Sequence, residues 1–138
     1  MNKKRLGSIL GIIVLVCAIF IGKAFIGARP FKDLTVKDIE KVTVNLIPPD
    51  INYAFTEEEV NELVHILNRV VIYKEDNSYK DYDGQAVIFT ITKTDGTQIS
   101  INAYNPFIII DGTGYKAKYK PCAELISLAN NLDSGKEG

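Results

Sequence analysis

Two side chains in this sequence are candidates for nucleophilic chemistry, the single histidine, His65, and the cysteine Cys122. A cysteine beside a histidine can form a thiolate nucleophile with an imidazole base. Cys122, however, lies at helical spacing from Leu125 and Ala129, and a cysteine on such an apolar stripe behaves as a small hydrophobe. The other cysteine, Cys17, lies in a hydrophobic segment and so cannot pair with it. We therefore predict no catalytic residue and no enzyme activity, with a thiol-dependent enzyme that uses Cys122 as an alternative.

Acidic side chains form two groups that are candidates for a cation site. The first group, residues 57–59 with Glu62, lies at the start of a predicted helix, where capping and the helix dipole already explain carboxylates. The second group, Asp76, Asp81 and Asp83, does not have the spacing of an EF-hand calcium loop. One histidine and one outer cysteine do not make a zinc site. The sequence therefore predicts neither a metal ion nor another cofactor.

Basic residues are unevenly placed along the chain. Four of the sixteen lie before residue 29, where no residue is acidic, and from Arg29 onward twelve basic residues face seventeen acidic ones. This acidic balance argues against nucleic acid as a partner and against a broad attraction to anionic lipids or wall polymers. Lys116, Lys118 and Lys120 alternate on a predicted strand and are candidates for an anion site. Because lysines on an edge strand prevent pairing between sheets, we favour edge protection as their role.

The segment from Asp76 to Gly84 is long for a connection between strands, and long loops are often functional. Tyr79 and Tyr82 lie in it, without an apolar periodicity that would bury them. Tyrosine is a common binding anchor because its ring covers a large area at a small entropy cost. Tyr104 and Asn105 lie at a turn expected near the same end of the sheet. We predict that these four residues form a binding surface. The alternative is that both loop tyrosines fold back and cap the sheet edge.

These residues need a scaffold, and the sequence predicts a domain of strands and helices. Val42, Val44 and Leu46 alternate with polar residues, which indicates a half-buried strand. Thr56 and Glu59 form a capping box, which predicts a helix that ends near residue 68. Further strands are predicted at 70–73, 87–92, 99–103, 107–110 and 115–119, and a closing helix is predicted from Pro121.

The register of the central hairpin follows from its apolar residues. A three-residue loop at 94–96 pairs Ile91 with Ile99 and Phe89 with Ile101, so that apolar side chains face one another. Runs of strands flanked by helices are typical of the α+β class. We therefore predict one antiparallel sheet with two helices packed on one face.

The chain begins with a hydrophobic segment. From Leu6 to Gly22 no residue is charged, and these seventeen residues would span about 26 Å as a helix, slightly less than the hydrocarbon core. Residues 24–28 extend the segment, and the cluster Lys3-Lys4-Arg5 before it favours a cytoplasmic N-terminus. We therefore predict an N-terminal transmembrane helix that is retained as an anchor, with a cleaved signal peptide as the alternative.

The predicted organisation is a cytoplasmic N-terminus and transmembrane helix at 1–28, a linker at 29–38, an extracytoplasmic α+β domain at 39–133 and a disordered tail at 134–138. The basic anchor, the Ile/Lys/Asn/Tyr-rich composition and the disulfide-free outer domain resemble small single-pass proteins of low-GC Gram-positive bacteria. That resemblance implies a place in the cell membrane and transfers no catalytic residue. We predict a binding or interaction module for a membrane or wall-associated protein partner, which it would regulate. A purely structural subunit of a membrane complex is a second alternative.

Overall fold

The computed structural model describes the backbone of residues 27–137 and the side chains of residues 27–132. The strands are β1 (Ile39–Ile47), β2 (Ile51–Ala54), β3 (Ile72–Glu75), β4 (Ala86–Lys93), β5 (Gln98–Tyr104), β6 (Phe107–Ile110) and β7 (Thr113–Ala117). The helices are α1 (Glu57–Leu67) and α2 (Tyr119–Glu137), and two short 3-10 helices cover Val36–Asp38 and Ser78–Asp81. The predicted transmembrane helix at 1–28 lies outside the described residues except for Gly27 and Ala28. Its predicted end at residue 28 is wrong, because Ala28 pairs with Ile72 at the edge of the sheet. Within them, no helix has the length and apolar character to cross a membrane.

The described strands form a single seven-stranded sheet in the order β2-β1-β4-β5-β6-β7-β3. Each neighbouring pair is antiparallel. The predicted fold class, α+β with one antiparallel sheet and two helices, is therefore confirmed for the described residues. The order follows from the chain path: β4 to β7 are consecutive hairpins, while β3 crosses over to the far edge beside β7.

The core lies between one face of the sheet and the two helices. Alternate residues of β1, β4 and β5 point into it, and the apolar stripes of α1 and α2 pack onto them in one cluster. Its fully buried members include Val44, Leu46, Leu63, Leu67, Phe89, Ile91, Ile101, Ile108 and Leu125. No polar residue among those described is fully buried, so the domain is stabilised mainly by the burial of apolar area.

The capping box at the start of α1 is confirmed. The Glu59 amide donates to the Thr56 hydroxyl at 3.2 Å, and the Thr56 amide donates to the Glu59 carboxylate at 2.9 Å. These bonds satisfy two amides that the helix geometry leaves without partners. The helix ends at Leu67, close to the predicted end, and β3 follows.

The register of the β4–β5 hairpin is also as predicted. Ile91 pairs with Ile99 and Phe89 with Ile101. The Lys93 amide donates to the Thr97 carbonyl at 2.8 Å and closes the three-residue loop, in which Gly96 has a φ of +89°. A left-handed residue at this place is the glycine bulge that such a loop requires.

The last hairpin and the sheet edges differ from the prediction. Asp111 and Gly112 have φ angles of 48° and 88°, so they form a two-residue turn and β7 begins at Thr113. Because β3 pairs with β7, the strand that carries Lys116 is internal to the sheet. Edge protection by the alternating lysines is therefore wrong. The edge strand β2 was also missed, because Ile51–Ala54 is short and follows two prolines.

The segments on either side of the predicted domain belong to it. Residues 29–38, predicted as a linker, pack against the core, where Phe31 is only 7% exposed. The Asn68 side-chain amide donates to the carbonyls of Phe31 and Leu34 at 2.7 and 3.0 Å, which fixes this segment against the end of α1. At the other end, the α2 backbone continues to Glu137 instead of giving way to a disordered tail after residue 133. Gly135 is a poor helix former, but Lys136 and Glu137 are good ones, and the chain has no proline there to end the helix.

Candidate functional site

A cleft with a volume of about 580 Å³ lies where the β5–β6 turn meets the segment that follows β3. One wall is formed by Tyr82 and residues 83–85, and the other by Tyr104, Asn105 and Pro106. Phe107, Lys116 of β7 and Ile126 of α2 also line it, together with Ser78 and Ala103. We call this cleft, with these residues, the tyrosine cleft. The lining combines aromatic and aliphatic side chains with polar ones, as is usual in ligand sites.

The segment that carries Tyr82 is held against the sheet by its first two residues. The Asp76 amide donates to the Gly114 carbonyl at 2.8 Å, and the Gly114 amide donates to the Asn77 side chain at 2.9 Å. The Asp76 carboxylate accepts the Ser78 amide at 2.9 Å, and hydrogen bonds from Ser78 lower the pKa of that carboxyl. Such a turn closed by an aspartate fixes the local backbone. The predicted loop is therefore an ordered wall of the cleft.

Tyr79 and Tyr82, predicted to act together, have different places. Tyr79 is half-buried, and a Cβ atom added to Gly114 would lie 2.7 Å from carbon atoms of its ring, so the ring rests directly on β7. Tyr82 is 61% exposed and lines the cleft. Both rings contact Phe107, with centroid distances of 6.4 and 6.0 Å. The alternative that both tyrosines fold back onto the sheet therefore describes Tyr79 well and Tyr82 only in part.

Tyr104 and Asn105 both line the cleft, as the predicted binding surface requires. A Cβ atom added to Gly84 would lie 2.7 Å from the Tyr104 hydroxyl oxygen, so glycine at position 84 lets this ring approach the backbone. The Asn105 side-chain oxygen is buried and accepts no hydrogen bond from the described residues. A buried acceptor without a donor is costly.

Two further cleft residues were not predicted as part of the site. Gln85 donates to the Pro48 carbonyl at 3.2 Å and accepts from the Asn130 side chain at 3.1 Å, so it connects the cleft wall to the turn between β1 and β2 and to α2. Lys116 pairs with Phe107 across β6 and β7, which places it on the cleft side of the sheet. The alternation of the lysines placed it on a strand, but only the pairing of β7 with β6 shows what lies beside it.

Cys122 is fully buried and lies apart from any imidazole. Its thiol donates to the Phe107 carbonyl at 3.4 Å, and burial raises the pKa of the thiol to about 12. His65 is exposed and lines a separate pocket between α1 and α2, together with Arg69 and Glu124. At neutral pH Cys122 is therefore a protonated thiol in an apolar contact, and the thiolate is the form that reacts.

The two acidic groups have no arrangement that resembles a metal site. Within residues 27–132, no three His, Cys, Asp or Glu side chains lie close enough together to hold a metal ion. Comparisons with protein-family models, with curated proteins and with solved structures find no match for this chain. Function is therefore inferred from the geometry of the tyrosine cleft and from the sequence of the N-terminal segment.

Proposed function

We propose that the chain is a membrane-anchored, extracytoplasmic binding module, and that the tyrosine cleft binds a segment of a membrane or wall-associated protein partner. The observation that carries this proposal is the combination of an exposed aromatic ring, Tyr82, with a buried acceptor that has no donor, the Asn105 side-chain oxygen. Aromatic rings supply the contact area, and a few polar groups fix the orientation of the ligand.

The lining residues favour a peptide segment as the ligand. A peptide offers backbone N–H groups, one of which would satisfy the Asn105 oxygen once that side chain turned toward the cleft. An apolar side chain of the peptide would pack between Tyr82 and Tyr104, and Lys116 would attract an acidic residue at the rim. The cleft is preformed, and its wall is fixed by hydrogen bonds with Gly114. Binding would therefore cost little conformational entropy.

The path of the chain supports a partner at the membrane. Ala28 pairs with Ile72, Ile72 with Ala117, and the Ala117 amide donates to the Pro106 carbonyl. Three strand spacings, or about 15 Å, therefore separate the cleft wall from the point where the chain enters the domain. If residues 6–22 cross the membrane, the cleft lies close to the membrane surface, within reach of the outer segments of a neighbouring membrane protein.

Site-specific photocrosslinking in living cells tests this proposal. A crosslinking residue at Asp83, on the cleft wall, should give a defined adduct in the membrane fraction, and one at Asp95, in the β4–β5 turn, should not. Tyr82→Ala should weaken the Asp83 adduct at least several-fold. Tyr119→Ala is the matched control, because Tyr119 is 71% exposed and does not line the cleft.

Two results would count against the cleft as the binding site. Equal adducts from Asp83 and Asp95 would show unspecific contact with neighbours. A defined adduct that persists in Tyr82→Ala and in Tyr104→Ala would favour the alternative of a structural subunit, which needs no ligand in the cleft.

A further inference from the structure

Four basic side chains from three separate parts of the sequence meet at one end of the domain. Arg29, Arg69, Lys118 and Lys120 line a shallow pocket of about 450 Å³, together with Val71 and Pro121. Arg29 comes from the first described residues, Arg69 follows α1, and the lysines lie between β7 and the first turn of α2. We call these four residues the basic pocket.

Most of the positive charge in the basic pocket is not neutralised. Arg69 forms a two-point ion pair with Glu124, the only salt bridge among the described residues. Arg29 directs its guanidinium to the Asn68 carbonyl, with its Nε at 3.1 Å, and so keeps its full charge. Lys118 and Lys120 are exposed. One carboxylate therefore faces four cations.

The predicted membrane anchor leads directly to this pocket. The Ala28 amide donates to the Ile72 carbonyl at 2.8 Å, and the Ile72 amide donates back at 2.9 Å, so Ala28 is fixed to the edge of the sheet one residue before Arg29. Five residues, 23–27, separate Ala28 from the uncharged run that ends at Gly22. Even a fully extended chain of that length spans only about 20 Å. The domain is therefore held close to the membrane, with the basic pocket on the side where the chain enters.

The end of α1 that lies away from the basic pocket is negatively charged. Glu57, Glu58 and Glu59 occupy the first turn of α1, while Arg69 lies just beyond its last residue. The eleven residues of α1 put about 16 Å between the two charge groups. An anionic surface would therefore attract the basic pocket and repel the acidic end, although the domain as a whole is acidic.

We infer that the basic pocket binds the headgroups of anionic phospholipids and holds the domain on the membrane surface in one orientation. The inference rests on the membrane anchor of the proposed function and does not depend on the tyrosine cleft. Bound in this way, the domain keeps the side with Ala28 on the lipid, and the nearby cleft faces neighbours in the same membrane.

The test compares the full chain in vesicles of phosphatidylcholine alone and in vesicles that also contain phosphatidylglycerol. Amine acetylation, followed by mass spectrometry, gives the modification rate of each lysine. We expect Lys118 and Lys120 to react several-fold more slowly in the anionic vesicles, and high salt to remove the difference. Lys41 and Lys80 are exposed lysines outside the pocket, and their rates should be the same in both kinds of vesicle.

A substitution within the pocket sharpens the test. Lys118→Gln should reduce the protection of Lys120 in anionic vesicles, whereas Lys41→Gln, which removes the same charge elsewhere, should not. Equal rates for Lys118 and Lys120 in the two kinds of vesicle would overturn the inference. Equal protection by inorganic phosphate added to neutral vesicles would also overturn it, because the pocket would then bind soluble anions.

The outcomes separate this inference from the proposed function. A chain that is not retained by vesicles after a salt wash would refute the anchor, on which both rest. A retained chain with unprotected lysines would refute only the lipid contact. Photocrosslinking from Asp83 reports on the cleft alone.

Discussion

Phe107 connects the core to the tyrosine cleft. Its carbonyl accepts the Cys122 thiol from the core side, while its ring, 4% exposed, lies under Tyr79 and Tyr82 on the other face of the sheet. The side chain of a strand residue points to one face of the sheet, while its backbone carbonyl can accept a hydrogen bond from a group on the other side. One residue can therefore contact both layers. A substitution that changes the packing around Cys122 should therefore also shift Phe107 of β6 and, with it, the lining of the cleft.

Cys122→Ser is expected to destabilise the domain by about 1–3 kcal/mol, because a hydroxyl would replace a thiol in an apolar contact. Cys122→Ala should be milder, since it buries no additional polar group. Urea unfolding of both variants measures the difference. The native thiol should resist a small maleimide, because its pKa is raised to about 12 by burial. Rapid modification of the folded chain would instead revive the thiol-dependent enzyme.

Substitutions of the two loop tyrosines should have separate effects, one on stability and the other on binding. Tyr79→Ala removes a half-buried ring that rests on Gly114, and it should cost about 1–3 kcal/mol of unfolding free energy. Tyr82 is 61% exposed, so Tyr82→Ala should change stability by less than about 0.5 kcal/mol while it weakens partner crosslinking. Denaturant unfolding and crosslinking from Asp83 measure the two effects. A large loss of stability in Tyr82→Ala would mean that its ring is a packing element.

Among the elements, the helices are joined by one charged contact at their exposed side. Arg69, just after α1, pairs with Glu124 of α2, with one N–O distance of 3.2 Å. The Arg69 hydrogen bond lowers the pKa of the Glu124 carboxyl. A lowered pKa in the folded chain means that this contact stabilises the fold above the pKa of the unfolded chain. Its contribution is lost as the pH falls through the lower, folded value.

Glu124→Gln should therefore destabilise the domain at neutral pH and have little effect in acid. The expected loss is at most about 1 kcal/mol, because the two side chains are 39% and 30% exposed and water screens their attraction. Urea unfolding of both chains across the acidic range measures this. Glu40→Gln, an exposed change on β1 and outside the pocket that holds the ion pair, is the control. A difference that stayed constant down to the acid limit would contradict the ion-pair account.

Elements with a local signal could be predicted from the sequence, and elements defined by distant pairing could not. The capping box at Thr56 and the apolar register of β4 with β5 depend on residues close together in the chain, and both are confirmed. The short strand β2 has no alternation of its own, and it forms because β1 offers an open edge. The position of β3 beside β7 likewise depends on contacts across the fold.

The candidate site shows the same limit. Tyr82, Tyr104 and Asn105 were predicted from loop length and residue type, and the structure brings them together. Lys116 and Gln85 could not be assigned to the cleft, because their neighbours come from other strands and from α2. The basic pocket could not be predicted from the net charge either, because its members come from three separate parts of an acidic chain.

At the scale of the whole molecule, the cleft and the basic pocket lie at the same end of the sheet. Ala117 donates to Pro106 at the cleft wall, and the next residue, Lys118, donates to the Val71 carbonyl in the pocket. The point where the chain enters the domain, at Ala28, is one strand further along. The proposed binding cleft therefore lies beside the proposed point of attachment.

The orientation of the chain in the cell is the last prediction. A cysteine at Asp95, in the exposed β4–β5 turn, should react with an impermeant maleimide in intact cells, because the domain is expected outside. A cysteine at Asn2, before the basic cluster, should react only after permeabilisation. Both variants carry Cys17→Ser, and Cys122 is retained because it is buried. The chain should stay with salt-washed membranes. Recovery of a soluble chain that begins near Arg29 would show that the segment is a cleaved signal peptide. Labelling of Asn2→Cys in intact cells would show that the N-terminus lies outside, opposite to the predicted topology.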